Sequence, residues 1–200
     1  MRLMMLGRRA WRAGVIAASI LALSTACTTV RITATARSSV EQRLLVRSLE
    51  RAAASLDTRS VVGRLVRIEL FGLTSDTAFA REFFRARLET RGLRTTSGAD
   101  AEVTLQVFAA ALAVDTAETL LGLPAMQAPV LAVPIPEIAL FKWERSRGHA
   151  ELQVYTYDGA GRLVGQLPDA LGEARYDRFT ILIFVSFSMS DLDEPPAVTE

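Results

Sequence analysis

The chain has 200 residues, half of them hydrophobic, and its 23 basic and 22 acidic side chains leave a formal charge of +1. That balance gives no electrostatic footprint for nucleic acid. One cysteine, Cys27, and one histidine, His149, exclude an internal disulfide framework and the His/Cys clusters that metal or hydrolytic chemistry needs.

The first segment reads as an export signal. Arg2, Arg8, Arg9 and Arg12 stand without an acidic residue, an apolar stretch follows from about Gly14 to Leu23, and small residues lead into Cys27. About ten apolar residues are too few for a hydrocarbon core of about 30 Å, so the stretch is expected to be cleaved and not to span. The Arg8-Arg9 pair belongs to a general basic region rather than to a twin-arginine signal. The run Leu23-Ser24-Thr25-Ala26-Cys27 resembles a bacterial lipobox, with Ser24 where leucine is commonest. That resemblance implies a diacylglycerol thioether on Cys27, cleavage before it, and a membrane held through the N-terminal lipid. An ordinary signal peptide or an uncleaved anchor is the alternative. Thr28 in place of aspartate resembles signals that sort to the outer membrane. Loss of residues 1–26 takes the formal charge to −3 and leaves about 174 residues, enough for one domain with a sizeable core.

Residues 27–38 form a tether or a first edge strand. Ser38-Ser39-Val40-Glu41 has the spacing of a capping box, in which the Ser38 hydroxyl accepts from the third helical N–H while Glu41 reaches back. Val40, Leu44, Leu45, Leu49, Ala52, Ala53 and Leu56 follow the helical period, which predicts a helix from about Ser39 to Leu56. Alternation then predicts a strand over Leu65–Phe71, closed by Gly72. A second helix opens at Thr74, Ser75 or Asp76 and stops at Gly92, and a second strand runs over Glu102–Ala109.

Residues 119–141 hold four prolines (Pro124, Pro129, Pro134 and Pro136) and a single charge, Glu137. The prolines forbid a regular helix and remove ladder donors, so the segment is expected to be extended and irregular. Its apolar character demands cover, either from the domain's own sheet or from another subunit, another protein or the membrane. Leu131, Ile135 and Glu137 are therefore candidate interaction residues. Ala150–Tyr157 alternates, Asp158-Gly159-Ala160-Gly161 supplies a turn, and Arg162–Gln166 returns as a hairpin partner. Phe179–Met189 reads as one long central strand that buries Ile183 and Val185, and residues 191–200 as an acidic disordered tail. These elements predict a single α+β domain over residues 39–190. Two helices would pack on a mixed, largely antiparallel sheet of about four to six strands in two layers.

Nothing in the chain forms a catalytic constellation. GxxxxGK[ST], GxGxxG and GxSxG are all missing from the sequence, and His149 beside Gly148 reads as an edge residue. Asp115 and Glu118, three apart, lack the further oxygen ligands of a cation site. Neither a cofactor nor an enzymatic activity is expected.

The run Thr35–Leu45, close behind the lipobox and followed by a strand, a helix ending in Arg91-Gly92 and a strand after Ala99-Asp100, resembles an uncharacterised family of bacterial lipoproteins. The likeness covers most of the mature chain, and Arg37, Glu41 and Gln42 match the family's pattern. The family carries no assigned activity. More loosely, the layout L-x-x-R-G-L … A-D-A-E-V-T-L-Q-V is similar to outer-membrane accessory lipoproteins of assembly or transport machines, an analogy of architecture only. Arg37 and Glu41 are spaced to pair across one helical turn and are either a charged helix start or an interaction site. The expected function is a lipid-anchored, periplasm-facing envelope protein with a non-enzymatic binding or accessory role toward a protein partner. The alternative is an oligomeric assembly or transport component that uses residues 119–141 for subunit or membrane contact.

Overall fold

The structure is a computed structural model that describes residues 37–127 and 134–193. The signal segment, Cys27, the tether, Leu131 and residues 194–200 lie outside the described residues.

Helix α1, Ser39–Ser55, starts at the predicted capping box: the Ser38 hydroxyl accepts from the Glu41 N–H at 3.2 Å, and the Glu41 carboxylate accepts from the Ser38 N–H at 3.0 Å. At its other end the Arg91 guanidinium donates to the Ala53 and Leu56 carbonyls, which the helix itself leaves without partners. Strand β1, Leu65–Gly72, is followed by helix α2, Thr77–Thr90, which stops two residues before Gly92 in the left-handed region. Glu50 of α1 accepts from Arg47 and from Arg87 of α2 and so ties the helices together.

After the two-residue strand β2, Arg94–Thr95, the chain enters β3, Val103–Leu123, and returns in β6, Ile138–Asp158. Each has 21 residues, so the pair is about 70 Å long. They are antiparallel throughout, from Val103 opposite Asp158 to Leu123 opposite Ile138. Between them the minimal strands β4, Met126–Gln127, and β5, Pro134–Ile135, pair with each other. Strands β7 (Leu163–Gln166), β8 (Ala170–Ile181) and β9 (Val185–Ser190) complete a seven-stranded sheet of order β2-β1-β3-β6-β8-β9, with β7 on β6. Only β2-β1-β3 is parallel.

This corrects the expected two-layer α+β arrangement. Strand takes 51% of the described residues against 21% for helix, and the protein is predominantly β: a curled mixed sheet, a half-barrel, with two helices. The helices cover the base alone. There Leu44, Leu49, Phe84, Leu88, Val103, Leu105, Val107, Leu152 and Val154 are buried. Beyond Val114, Gly148 and Ala174 the strands continue clear of the helices as an arm made of the outer parts of β3, β6, β8 and β9.

Two further expectations fail for identifiable reasons, and the described start of the expected disordered tail is docked. The strand expected to end at Ala109 runs on, because a bulge between Ala109 and Ala111 shifts the inward set from Val103, Leu105 and Val107 to Leu112 and breaks the period of two in the sequence. The expected central strand Phe179–Met189 is a hairpin whose three-residue turn, Leu182–Phe184, makes Ile183 and Val185 exposed. Leu182 and Ile183 adopt positive φ, where glycine or asparagine is the usual choice, so the turn has no signature in the sequence. Finally, the acidic tail is docked at its start: Asp191 accepts from the Arg175 N–H at 2.9 Å and from Arg51 at 2.7 Å, and Asp193 from Arg43 at 2.6 Å.

α1 lies on the sheet where two glycines let it approach. A Cβ on Gly148 would stand 2.6 Å from the Leu44 carbonyl oxygen, and one on Gly172 would overlap the Ser48 carbonyl. Gly172→Ala should therefore lift α1 and lower stability by about 1–3 kcal/mol, the usual cost of overpacking. Gly165→Ala, into open space, should change little in the same thermal melt.

Candidate functional site

Strand alternation gives the arm two faces of opposite character. One carries Thr116 and Glu118 of β3, Lys142, Glu144 and Ser146 of β6, Tyr176, Arg178 and Thr180 of β8, and the three serines of β9, as the cross-strand register aligns them. The other carries Leu121, Phe141 and Trp143 with Phe179, Ile181, Val185, Phe187 and Met189.

On the apolar face one aromatic row crosses three strands. Trp143 stacks on Phe179 with centroids 5.6 Å apart, and Phe179 on Phe187 at 5.1 Å. Arg145 lies over the indole, 4.4 Å from its centroid. The indole N–H donates to Asp177 Oδ1 at 3.1 Å, and Arg147 grips both Asp177 oxygens at 3.1 and 3.2 Å. Asp177, buried, is thus a pin that sets the orientation of Trp143 and Arg147 together. Toward the end of the arm the apolar side chains stand in the open: Phe184 is 80% exposed and Leu121 64%. Holding Leu182 and Ile183 at positive φ in an exposed turn costs energy that a glycine or asparagine would avoid.

The polar face holds an open cavity of about 400 Å³ lined in part by Glu137, Lys142, Glu144, Arg178 and Ser188. Lys142, the chain's only lysine, sits 3.0 Å from Glu137, 3.3 Å from Glu118 and 3.8 Å from Glu144. Partial desolvation works against its charge. The hydrogen bonds to Glu137 and Glu118 and the field of Glu144 outweigh it and raise the ammonium pKa above its ordinary value. Two surplus carboxylates remain in the cluster, and Arg178, resting on Tyr176, adds a second cation at the cavity wall.

The expected interaction residues fall in different places. Glu137 is in the Lys142 cluster and Ile135 lies in β5 opposite Met126. Arg37 pairs with Asp76 ahead of α2, and Glu41 belongs to the capping box, so both serve the helix layer. In the described parts of segment 119–141, Leu121, Leu123, Met126, Ile138 and Leu140 are all exposed and do not cover the sheet. His149 stands between Asp115 and Glu173, 3.7 Å from each, on two cross-strand neighbours that remain open to solvent. Asp115 and Glu118 point to opposite faces of β3 and share no site. Among the described residues no group of three or more His, Cys, Asp or Glu is arranged to hold a metal ion. No helix among them is long and apolar enough to cross a membrane, which leaves strands untouched by that test. Sequence reasoning missed Trp143, Arg147 and Asp177. The alternation Phe141, Trp143, Arg145, Arg147 was the available signal for the first two.

The chain matches no protein-family model and no curated protein.

Asp177→Ala should leave the Trp143 indole N–H and the Arg147 guanidinium without their shared acceptor. A loss of about 1–3 kcal/mol is expected, with a shift of Trp143 emission toward that of a freely solvated indole. For Lys142 the sign follows from a raised folded-state pKa. Its contribution is complete below pH 10.5, its ordinary value, and is lost as the pH climbs through the higher folded value. Trp143 fluorescence melts should therefore be insensitive to this group from pH 7 to 9 and weaken only above that range, and Lys142→Met should abolish that alkaline loss.

Proposed function

We propose that this protein is a lipid-anchored component of the bacterial cell envelope, facing the periplasm from the outer membrane, with a non-enzymatic binding or accessory role carried by the arm. The observation that carries this reading is the arm: about half the length of β3 and β6 stands clear of the helices with one face apolar and uncovered. A domain needs no such extension to build a core, and a half-buried aromatic row flanked by exposed Leu121, Val185, Phe187 and Met189 marks a contact surface.

Two sequence features support the envelope part. The lipobox-like run ending at Cys27 supplies the anchor, and ten residues separate it from Arg37, a reach of at most about 36 Å. Arg37 pairs with Asp76, which follows β1 where that strand ends beside Ala109, at the arm side of the base. The resemblance to envelope lipoproteins agrees with the envelope reading. The Lys142 cavity is open and acidic, and suits contact with polar groups of a partner.

Metabolic labelling with a radioactive fatty acid tests the anchor. The full chain should incorporate label and fractionate with outer membranes, whereas Cys27→Ser should take up none and remain unprocessed or soluble. Unchanged membrane recovery and mass for Cys27→Ser would refute the reading.

A further inference from the structure

We propose that the arm assembles with further copies of this chain by strand addition, β9 of one copy pairing with the outer half of β3 in the next. The inference rests on the envelope reading above and names the partner of the arm.

Among the described residues both edges of the arm are open. β3 is bound by β1 only as far as Ala109, and among the described residues no strand continues that edge from Ala110 to Leu123. β9 ends the sheet at the other side. Such rows of free N–H and C=O groups are templates for another strand, and natural edges normally carry lysine, proline or a bulge to blunt them. β9, Val-Ser-Phe-Ser-Met-Ser, carries none of these, and the outer half of β3 has no basic residue and no proline before Pro124.

The two edges match each other. Joined in either direction, Val185, Phe187 and Met189 can continue the apolar face of Ala117, Thr119 and Leu121, while Ser186 and Ser188 continue the polar face of Thr116 and Glu118. Their charges are complementary as well. The outer half of β3 bears Asp115 and Glu118 without a base, and behind β9 stand Arg175 and Arg178, the latter leaning on Tyr176 rather than on a carboxylate. Strand β9 presents only small serines on that face, so Arg178 can reach past them to a neighbouring Glu118.

A bilayer alone is a poorer occupant. A single arm pressed into lipid would bring two open edges and the Lys142 carboxylate cluster into hydrocarbon, where neither is tolerated. Pairing unlike edges is heterologous, and repeated head to tail it closes into a ring when the rotation permits. A closed ring leaves no edge and brings the aromatic rows of successive copies side by side on one face and their Lys142 clusters on the other.

The test uses the full-length chain extracted in detergent at low ionic strength, with native mass spectrometry and amide hydrogen exchange on the same sample. The expected result is a discrete species of several copies with slowed exchange over residues 113–123 and 185–190. Arg178→Glu, its fold checked by thermal melting, should cut the assembled fraction by about tenfold. A monomer at every concentration with rapidly exchanging edges overturns the proposal. So does an edge protected only by vesicles, or only by a different protein held one to one. Acylation of Cys27, read in the same spectra, is a separate outcome, so failure of the anchor and failure of assembly are told apart.

Discussion

The structure depends on one ladder, the antiparallel pairing of β3 with β6 over 21 residues each. Every other strand of the main sheet is placed by it: β1 and β2 on one side at the base, β7 and β8 along the free side of β6, and β9 outside β8. Because backbone pairing and not side-chain burial extends the ladder, the strands can outrun the core. The helices stop where Gly148 and Gly172 allow α1 to touch the sheet, and the ladder continues beyond them.

The same ladder determines the chemistry. Alternate residues go to opposite faces, and the bulge after Ala109 selects which. It puts Asp115 and Glu118 on different sides of β3 and thereby removes the one carboxylate pair that the linear spacing suggested. It also gathers Lys142 with three glutamates on one face and Trp143, Asp177 and Arg147 on the other. Neither group is contiguous in sequence, and each exists only because the strands are in this register.

Legibility followed the range of the interactions. The capping box at Ser38 and Glu41, the stop at Gly92, the alternation of Leu65–Phe71 and the Asp158-Gly159 turn are local, and all stood in the sequence before the structure. The arm did not. Its β3 half is rich in alanine and leucine, residues of modest strand preference, and pairing to β6 overrides that tendency. The turn at Leu182–Phe184 uses apolar residues at positive φ, so an unbroken alternation hid a hairpin. Glu137 was conspicuous as a charge in an apolar run, but its partner, Lys142, was visible only as a neighbour in sequence. Arg37 and Glu41 drew notice for their spacing and proved to organise the start of the helix layer.

A folded-back segment and a projecting arm differ most in length, and length can be measured. Spin labels at Glu102 and Leu123, introduced as cysteines in a Cys27→Ser background, bracket the whole of β3. Pulsed electron resonance should return a narrow distribution near about 65–70 Å, as an extended strand of this length requires. A distribution centred near about half that distance would show residues 110–123 folded over the base and would contradict the arm on which the account is built.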